Sequence, residues 1–168
     1  MSAEVHRFPT KDGAAAFVLD FLDSAGEAVC APGTFLDGLV SHERLSFEAT
    51  RERAAAARVG ISQMEWAVAD TGTLVQDAAP VERRLVSTLP EIHIALVPSA
   101  GLLPDMAAVL ARMAKRTQAG MPVLPLPSYI SMITGPSRTA DIERVLTIGV
   151  HGPERLIIVF VDELEAAS

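Results

Sequence analysis

The chain has only one cysteine, Cys30, among its 168 residues. A single thiol cannot form an internal disulfide, and it cannot supply the four thiolates that most iron-sulfur clusters and many zinc sites need. No set of histidine, cysteine and carboxylate residues has convincing metal-ligand spacing either. We therefore predict that the chain carries no cofactor or metal of its own, and that any iron-sulfur cluster belongs to a partner protein.

Long hydrophobic runs and an excess of basic charge are also missing. No apolar stretch reaches the roughly 18 residues of a membrane span, and the N-terminus lacks the basic-then-apolar order of a signal peptide. The 14 basic and 21 acidic residues give a net charge of −7, which disfavours a surface that neutralises nucleic-acid phosphates. We expect a soluble, cytoplasmic protein with no membrane span and no nucleic-acid partner.

Three common enzyme signatures are absent from the sequence. It contains no Gly-x-Gly-x-x-Gly, no phosphate-binding Gly-Lys-Ser/Thr loop and no Gly-x-Ser-x-Gly. These absences weaken dinucleotide, nucleotide triphosphate and hydrolase interpretations. An oxidation of the substrate would need a flavin, a nicotinamide or a metal cluster to take the electrons, and we find no binding motif for any of them. Whether the chain is an enzyme on its own stays open.

The elements alternate along the chain in a way that predicts a single α/β domain over residues 1–168. In the first half, helical spacing over 11–24 stops at Gly26, and two short strands flank a turn within 64–77. In the second half we predict, in order, a strand at 92–97, a helix at 103–116, a strand at 129–134, a helix at 139–146 and a strand at 156–161. The order predicts a three-layer fold, in which these three strands share one mainly parallel sheet with helices on both faces.

The loop after the predicted strand at 129–134 is the strongest candidate for a binding site. It contains Gly135, Ser137, Arg138, Thr139 and Asp141. A helix starting near Thr139 would offer free amides to an anion, and Arg138 would add a full positive charge with a planar donor fork. The same residues also fit a plain helix start, with Ser137 or Thr139 as the cap and Arg138 in an ion pair.

A second candidate is the polar turn made by Asp70, Thr71, Gly72 and Thr73. Glycine lets the backbone approach a bound group, and the hydroxyls and amides can donate to an anion. The same residues also fit an ordinary turn between two strands, in which Gly72 supplies an unusual backbone angle and Asp70 hydrogen-bonds the local amides. We predict that this turn and the loop at 135–141 converge on one site for a small anionic ligand.

His93 lies inside the apolar run 92–97, on the opposite face from its two isoleucine neighbours. It could enter the ligand site as an acid, a base or a hydrogen-bond donor. A lone histidine in an apolar strand is also commonly a core residue whose polar atoms are satisfied.

Four blocks of sequence, in order, resemble the LUD-domain family and the lactate-utilisation proteins within it. They are 68–75 (VADTGTLV), 85–90 (LVSTLP), 91–97 (EIHIALV) and 135–143 (GPSRTADIE). The resemblance implies a fold like that of the sugar-phosphate isomerases and CoA transferases. It also implies a role in bacterial L-lactate oxidation to pyruvate, together with iron-sulfur cluster proteins as partners. The alternative is a stand-alone binder or enzyme for a small acyl, CoA or sugar-phosphate ligand, and a homodimer stays open.

Overall fold

The computed structural model describes residues 3–118, 127–135, 138–140, 146–148 and 152–166. Its helices are α1 (Lys11–Ala25), α2 (Arg51–Ala56), α3 (Val81–Thr88) and α4 (Met106–Gln118). Its strands are β1 (Glu4–Phe8), β2 (Ala28–Cys30), β3 (Leu45–Ser46), β4 (Val59–Gln63), β5 (Trp66–Val68), β6 (Thr73–Asp77), β7 (Ile92–Pro98), β8 (Leu102–Leu103), β9 (Ile130–Ile133), β10 (Arg138–Ala140), β11 (Leu146–Ile148) and β12 (Arg155–Val161). No helix in these described ranges is long and apolar enough to cross a membrane.

The main sheet contains six strands in the order β1-β12-β7-β4-β2-β3. Each neighbouring pair is parallel, with Ile94 opposite Ile61 on one side and Ile157 on the other. All seven residues of β7 are buried, as expected for a parallel strand covered on both faces. The predicted α/β class and the parallel pairing of 92–97 with 156–161 are therefore confirmed.

Helices cover both faces of this sheet, which confirms that part of the predicted fold. On one face, α1 buries Ala14, Val18 and Leu22 against the isoleucines and valines of the central strands. On the other face, α2 and α3 pack over β2 and β4. The approach of α3 is so close that a Cβ at Gly60 would lie 1.9 Å from the carbonyl oxygen of Val86. Only glycine leaves room for that contact.

A second sheet, with strand order β8-β5-β6-β9, forms a layer that we did not predict. One face, through Ala67, Leu74 and Ile133, packs on the main sheet. The other face, through Trp66 and Val75 among others, is covered by α4. The prediction that 129–134 joins the main sheet is wrong, because β9 pairs antiparallel with β6 in this second sheet. Its partner is set by a contact distant in sequence, which local strand patterns do not encode.

The predicted helix at 139–146 is also wrong in the described residues. Strands β10 and β11 pair antiparallel there, with Thr139 opposite Thr147. The Thr and Asp residues that suggested a helix start are equally common in turns, and β-branched threonines favour strands. Pairing between the two segments outweighs the local capping pattern.

Candidate ligand site

The turn between β5 and β6 places the first group of candidate residues at one end of the second sheet. Asp70 is exposed, and its amide donates to the carbonyl oxygen of Pro104 at 3.2 Å. Gly72 has a φ of +66°, a conformation that favours glycine, and no atom would lie within 4 Å of a Cβ built there. The turn is thus held by a backbone hydrogen bond at Asp70 and is exposed to solvent at Gly72.

Three threonine hydroxyls lie in a row at this end of the sheet, and we call Thr71, Thr73 and Thr134 the threonine cluster. The Thr71 and Thr73 oxygens are 2.8 Å apart, and those of Thr73 and Thr134 are 3.0 Å apart. Thr73 is 5% exposed, whereas Thr71 and Thr134 are exposed. The cluster arises because β9 runs antiparallel to β6, so the end of β9 meets the start of β6.

The second predicted loop begins directly after the cluster. Gly135, with a φ of +132°, follows Thr134 and also has no atom within 4 Å of a Cβ position. Arg138 and Thr139 lie on β10, while Ser137 and Asp141 lie outside the described residues. Since Thr139 lies on a strand, no helix starts near it in the part of the loop that the structure describes, contrary to our expectation.

The candidate residues at 70–73 and 134–135 lie beside strands of the second sheet and not at the end of a strand of the parallel main sheet. The Asp70–Thr73 turn belongs to an antiparallel hairpin of the second sheet, in which Val68 is paired with Thr73. A helix start does lie nearby, because α4 begins two residues after Pro104, which accepts from Asp70. Asp105 caps it by accepting from the Ala108 amide at 2.8 Å.

The structure places His93 in the core of the main sheet. It is 0% exposed, and its Nε2 lies 2.9 Å from the hydroxyl of Ser62, which is also 0% exposed. Burial lowers the pKa of His93 to about 4. The two residues have the spacing of a serine-histidine pair, but neither has surface through which a substrate could reach it in this structure. A ligand role for His93 stays a prediction.

Glu65 and Arg83 form a partly buried ion pair beside the second sheet. Sequence patterns did not identify it. The Glu65 carboxylate accepts from Arg83 at 2.7 Å and from the Asp77 amide at 2.6 Å. Burial raises the pKa of Glu65, against the opposing effect of these two donors. The contacts join the β4–β5 connection to α3 and to the end of β6. Only the spatial neighbours reveal this role, since Glu65 stands in no recognisable motif.

Thr134 is the member of the threonine cluster that the sequence analysis did not single out. It lies one residue before Gly135, where we began the loop. The available signal was its position as the last polar residue after an apolar strand, although its partner Thr73 is 61 residues away.

Comparison with known proteins identifies the family. The family model of the LUD domain matches residues 1–161. The chain belongs to the LUD domain family. The resemblance inferred from the four sequence blocks is therefore confirmed.

Curated relatives of this LUD domain include proteins named lactate utilization protein C. The protein from an Exiguobacterium species is 41% identical over 117 residues, which cover 70% of this chain and 50% of the relative. That of Halalkalibacterium halodurans is 38% identical over 112 residues, covering 67% and 47%. The uncharacterized protein YkgG of Escherichia coli is 32% identical over 111 residues, covering 66% and 47%. The chain spans about half the length of these relatives.

A solved structure has the same fold as this LUD domain. The crystal structure of a DUF162 family protein from Deinococcus radiodurans superposes with a TM-score of 0.68, covering 95% of this chain and 88% of that one. At 19% identity, this likeness supports the architecture and no statement about ligands.

Proposed function

We propose that this LUD domain protein is a component of a bacterial L-lactate utilisation system that oxidises lactate to pyruvate with iron-sulfur partner proteins. The observation that carries the proposal is the 41% and 38% identity to two proteins named lactate utilization protein C. The named relatives are about twice as long as the matched segment, so their activity as whole proteins is extended to this chain as part of the proposal.

The chemistry of Cys30 supports the assignment of redox centres to partners. Its side chain is 0% exposed, and burial raises the pKa of the thiol to about 12. The thiolate, not the thiol, binds metals, so this residue is a poor ligand at neutral pH. With no second cysteine in the sequence, an iron-sulfur cluster of the usual thiolate type would have to lie on another chain.

We further propose that the threonine cluster and the loop at 135–141 bind a small carboxylate. Two exposed hydroxyls, two open glycines and the α4 start lie together at one end of the second sheet. Four residues of chain span at most about 14 Å, which keeps Arg138 near Thr134 and makes it the natural charge anchor. Asp70 and Thr139 belong to the same proposed site, and the assignment of Ser137 and Asp141 to it stays a prediction, since both lie outside the described residues.

Growth on defined carbon sources tests the proposed system. Deleting the gene in its native bacterium should abolish growth on L-lactate and leave growth on pyruvate unchanged, because only the oxidation step is lost. A plasmid copy should restore growth on L-lactate. Undiminished growth of the deletion strain on L-lactate would contradict the proposal.

Purification from the native host tests the partners. A tagged protein, isolated without oxygen, should bring down proteins that contain iron and acid-labile sulfide in stoichiometric amounts. The control is the same tagged chain produced alone in a heterologous host, which should contain neither. Turnover of a small acyl or phosphate ligand by the isolated chain would instead favour the stand-alone alternative.

A further inference from the structure

The hydrogen-bonding capacity of the threonine cluster limits what it can present to a ligand. Its three hydroxyls carry three protons, and two hydrogen bonds link them in a row. When Thr73 accepts from one neighbour and donates to the other, two protons are used internally. One proton remains, and it lies at one end of the row. The other end then offers only lone pairs.

The direction of this row is reversible. If Thr71 donates to Thr73 and Thr73 to Thr134, the free proton belongs to Thr134. If both bonds reverse, it belongs to Thr71. Hydroxyl protons rotate about the C–O bond, so the reversal needs no movement of heavy atoms. Each exposed end can thus be a donor or an acceptor according to its ligand.

This behaviour differs from that of charged binding groups. An arginine or lysine only donates, and an ionised carboxylate only accepts. A hydroxyl on a ligand can donate and accept, whereas a ketone oxygen can only accept. A reversible hydroxyl row can therefore hold either oxygen at the same place, whereas a fixed acceptor such as a carboxylate would hold only the hydroxyl.

The space beside the row is open. Gly72 and Gly135 flank Thr71 and Thr134, and a side chain at either glycine would meet no atom within 4 Å. The middle hydroxyl is shielded, because Thr73 is 5% exposed, so Thr71 and Thr134 are the ends that a ligand can reach.

We propose that the threonine cluster recognises the oxygen at carbon 2 of a small 2-hydroxy acid and of the 2-oxo acid formed from it. This inference rests on the proposed function, from which it takes the carboxylate ligand. It adds that the oxygen at carbon 2 is the group by which the site distinguishes this ligand from other short acids. The exposed end of the row can donate to the ketone, and it can either donate to the hydroxyl or, after reversal, accept from it, so one site accommodates both members of the pair.

Binding of three matched acids to the purified full chain tests the inference. L-Lactate, pyruvate and propionate share a three-carbon skeleton, and propionate lacks the oxygen at carbon 2. By calorimetry or by methyl NMR of the threonines, lactate and pyruvate should bind within about threefold of each other. Propionate should bind about tenfold more weakly, the size expected for a lost neutral hydrogen bond.

Substitutions in the row separate recognition from packing. Thr73→Val keeps the side-chain shape and interrupts the row, so lactate and pyruvate should fall to the level of propionate. Thr73→Ser keeps the hydroxyl and should retain the preference. Thr88→Val is the matched control, because the Thr88 hydroxyl donates to the Arg84 carbonyl oxygen in α3 and takes no part in the row. It should bind as the unaltered chain does.

Three results would overturn the inference. They are equal binding of propionate and lactate, an unchanged preference in Thr73→Val with a normal circular dichroism spectrum, and no measurable binding of any of the three acids. If any of these occurs while the deletion strain still fails to grow on L-lactate, the proposed function survives and this recognition mode does not. If the three acids bind with the expected preference but the deletion strain grows normally on L-lactate, the recognition mode survives and the proposed function does not.

Discussion

At the scale of single residues, His93 illustrates how burial decides chemistry. The ring is 0% exposed, Nε2 contacts the Ser62 hydroxyl, and Nδ1 has no hydrogen-bond partner among the described residues. An unpaired buried N–H costs more than an unpaired lone pair, so the neutral tautomer with the proton on Nε2 fits best. In this state the imidazole is a structural group that bonds β7 to β4.

The depressed pKa of His93 predicts a loss of stability in mild acid. With a pKa of about 4 in the fold and an ordinary value of 6.5, the unfolded chain binds the proton first. The stabilising effect of neutral His93 is complete above pH 6.5 and is lost as the pH falls through 4. Between pH 7.5 and 5, this residue should lower the free energy of unfolding by roughly 2 kcal/mol.

Urea unfolding of the unaltered chain and of His93→Gln at these two pH values measures this effect. Carboxylates and the other histidines titrate in both proteins, so the difference between their pH dependences isolates His93. Parallel pH dependences would show that the buried ring keeps an ordinary pKa.

The candidate site shows what residue patterns could and could not reveal. The composition of the Asp70–Thr73 turn indicated its conformation correctly, because a glycine between two polar residues commonly marks a tight turn. The contact between Thr73 and Thr134 could not be read in this way, since it joins strands separated by 61 residues. Turn chemistry is local, whereas convergence of two loops depends on the sheet that holds them.

At the scale of elements, local patterns located most helices and strands but not all of their partners. Helix α1 begins after its Thr10 cap and ends before Gly26, as its spacing predicted. Strand β9 was located nearly correctly and assigned to the wrong sheet, because β6 pairs with it through a register that no local signal encodes. The pair β10 and β11 was missed since threonine serves helix caps and strands alike.

The packing of α3 on β4 predicts that Gly60 cannot be enlarged. An alanine methyl would lie 1.9 Å from the backbone oxygen of Val86 and 2.9 Å from the ring of Pro90. Because backbone cannot move aside cheaply, Gly60→Ala should lower the free energy of unfolding by about 1–3 kcal/mol.

Gly13→Ala is the matched control, measured by the same urea titration. Its methyl would meet the Thr10 side-chain oxygen at 3.2 Å, and alanine favours a helix. The control should stay within about 0.5 kcal/mol of the unaltered chain. Equal stability of both variants would mean that α3 lies farther from β4 than described.

At the scale of the whole molecule, the main sheet joins segments from both ends of the described chain. Strand β1 pairs in parallel with β12, so that Glu4 lies opposite Ile157 and Phe8 opposite Val161. Glu4 also contacts Arg155, and Arg7 contacts Asp162. The sequence analysis assigned no strand to residues 4–8, because five residues beside a buried partner carry too short a pattern to identify.

Because β1 pairs with a strand distant in sequence, we predict that removing β1 destabilises strands of the main sheet beyond its direct neighbour β12. Deleting residues 3–8 would expose the edge of β12 and remove the contact of Phe8 with the tilted ring of Phe17, whose centre is 5.3 Å away. Ile157 and Val159 belong to the same core cluster as Ile61 and Ile94 of the next strands. Hydrogen exchange should therefore accelerate in β12 and also in β7, while the urea midpoint falls.

The double variant Glu4→Gln and Arg7→Gln keeps the strand and removes both surface ion pairs, so it should change exchange little. Full protection of β12 in the deletion variant would show instead that β1 is a dispensable edge.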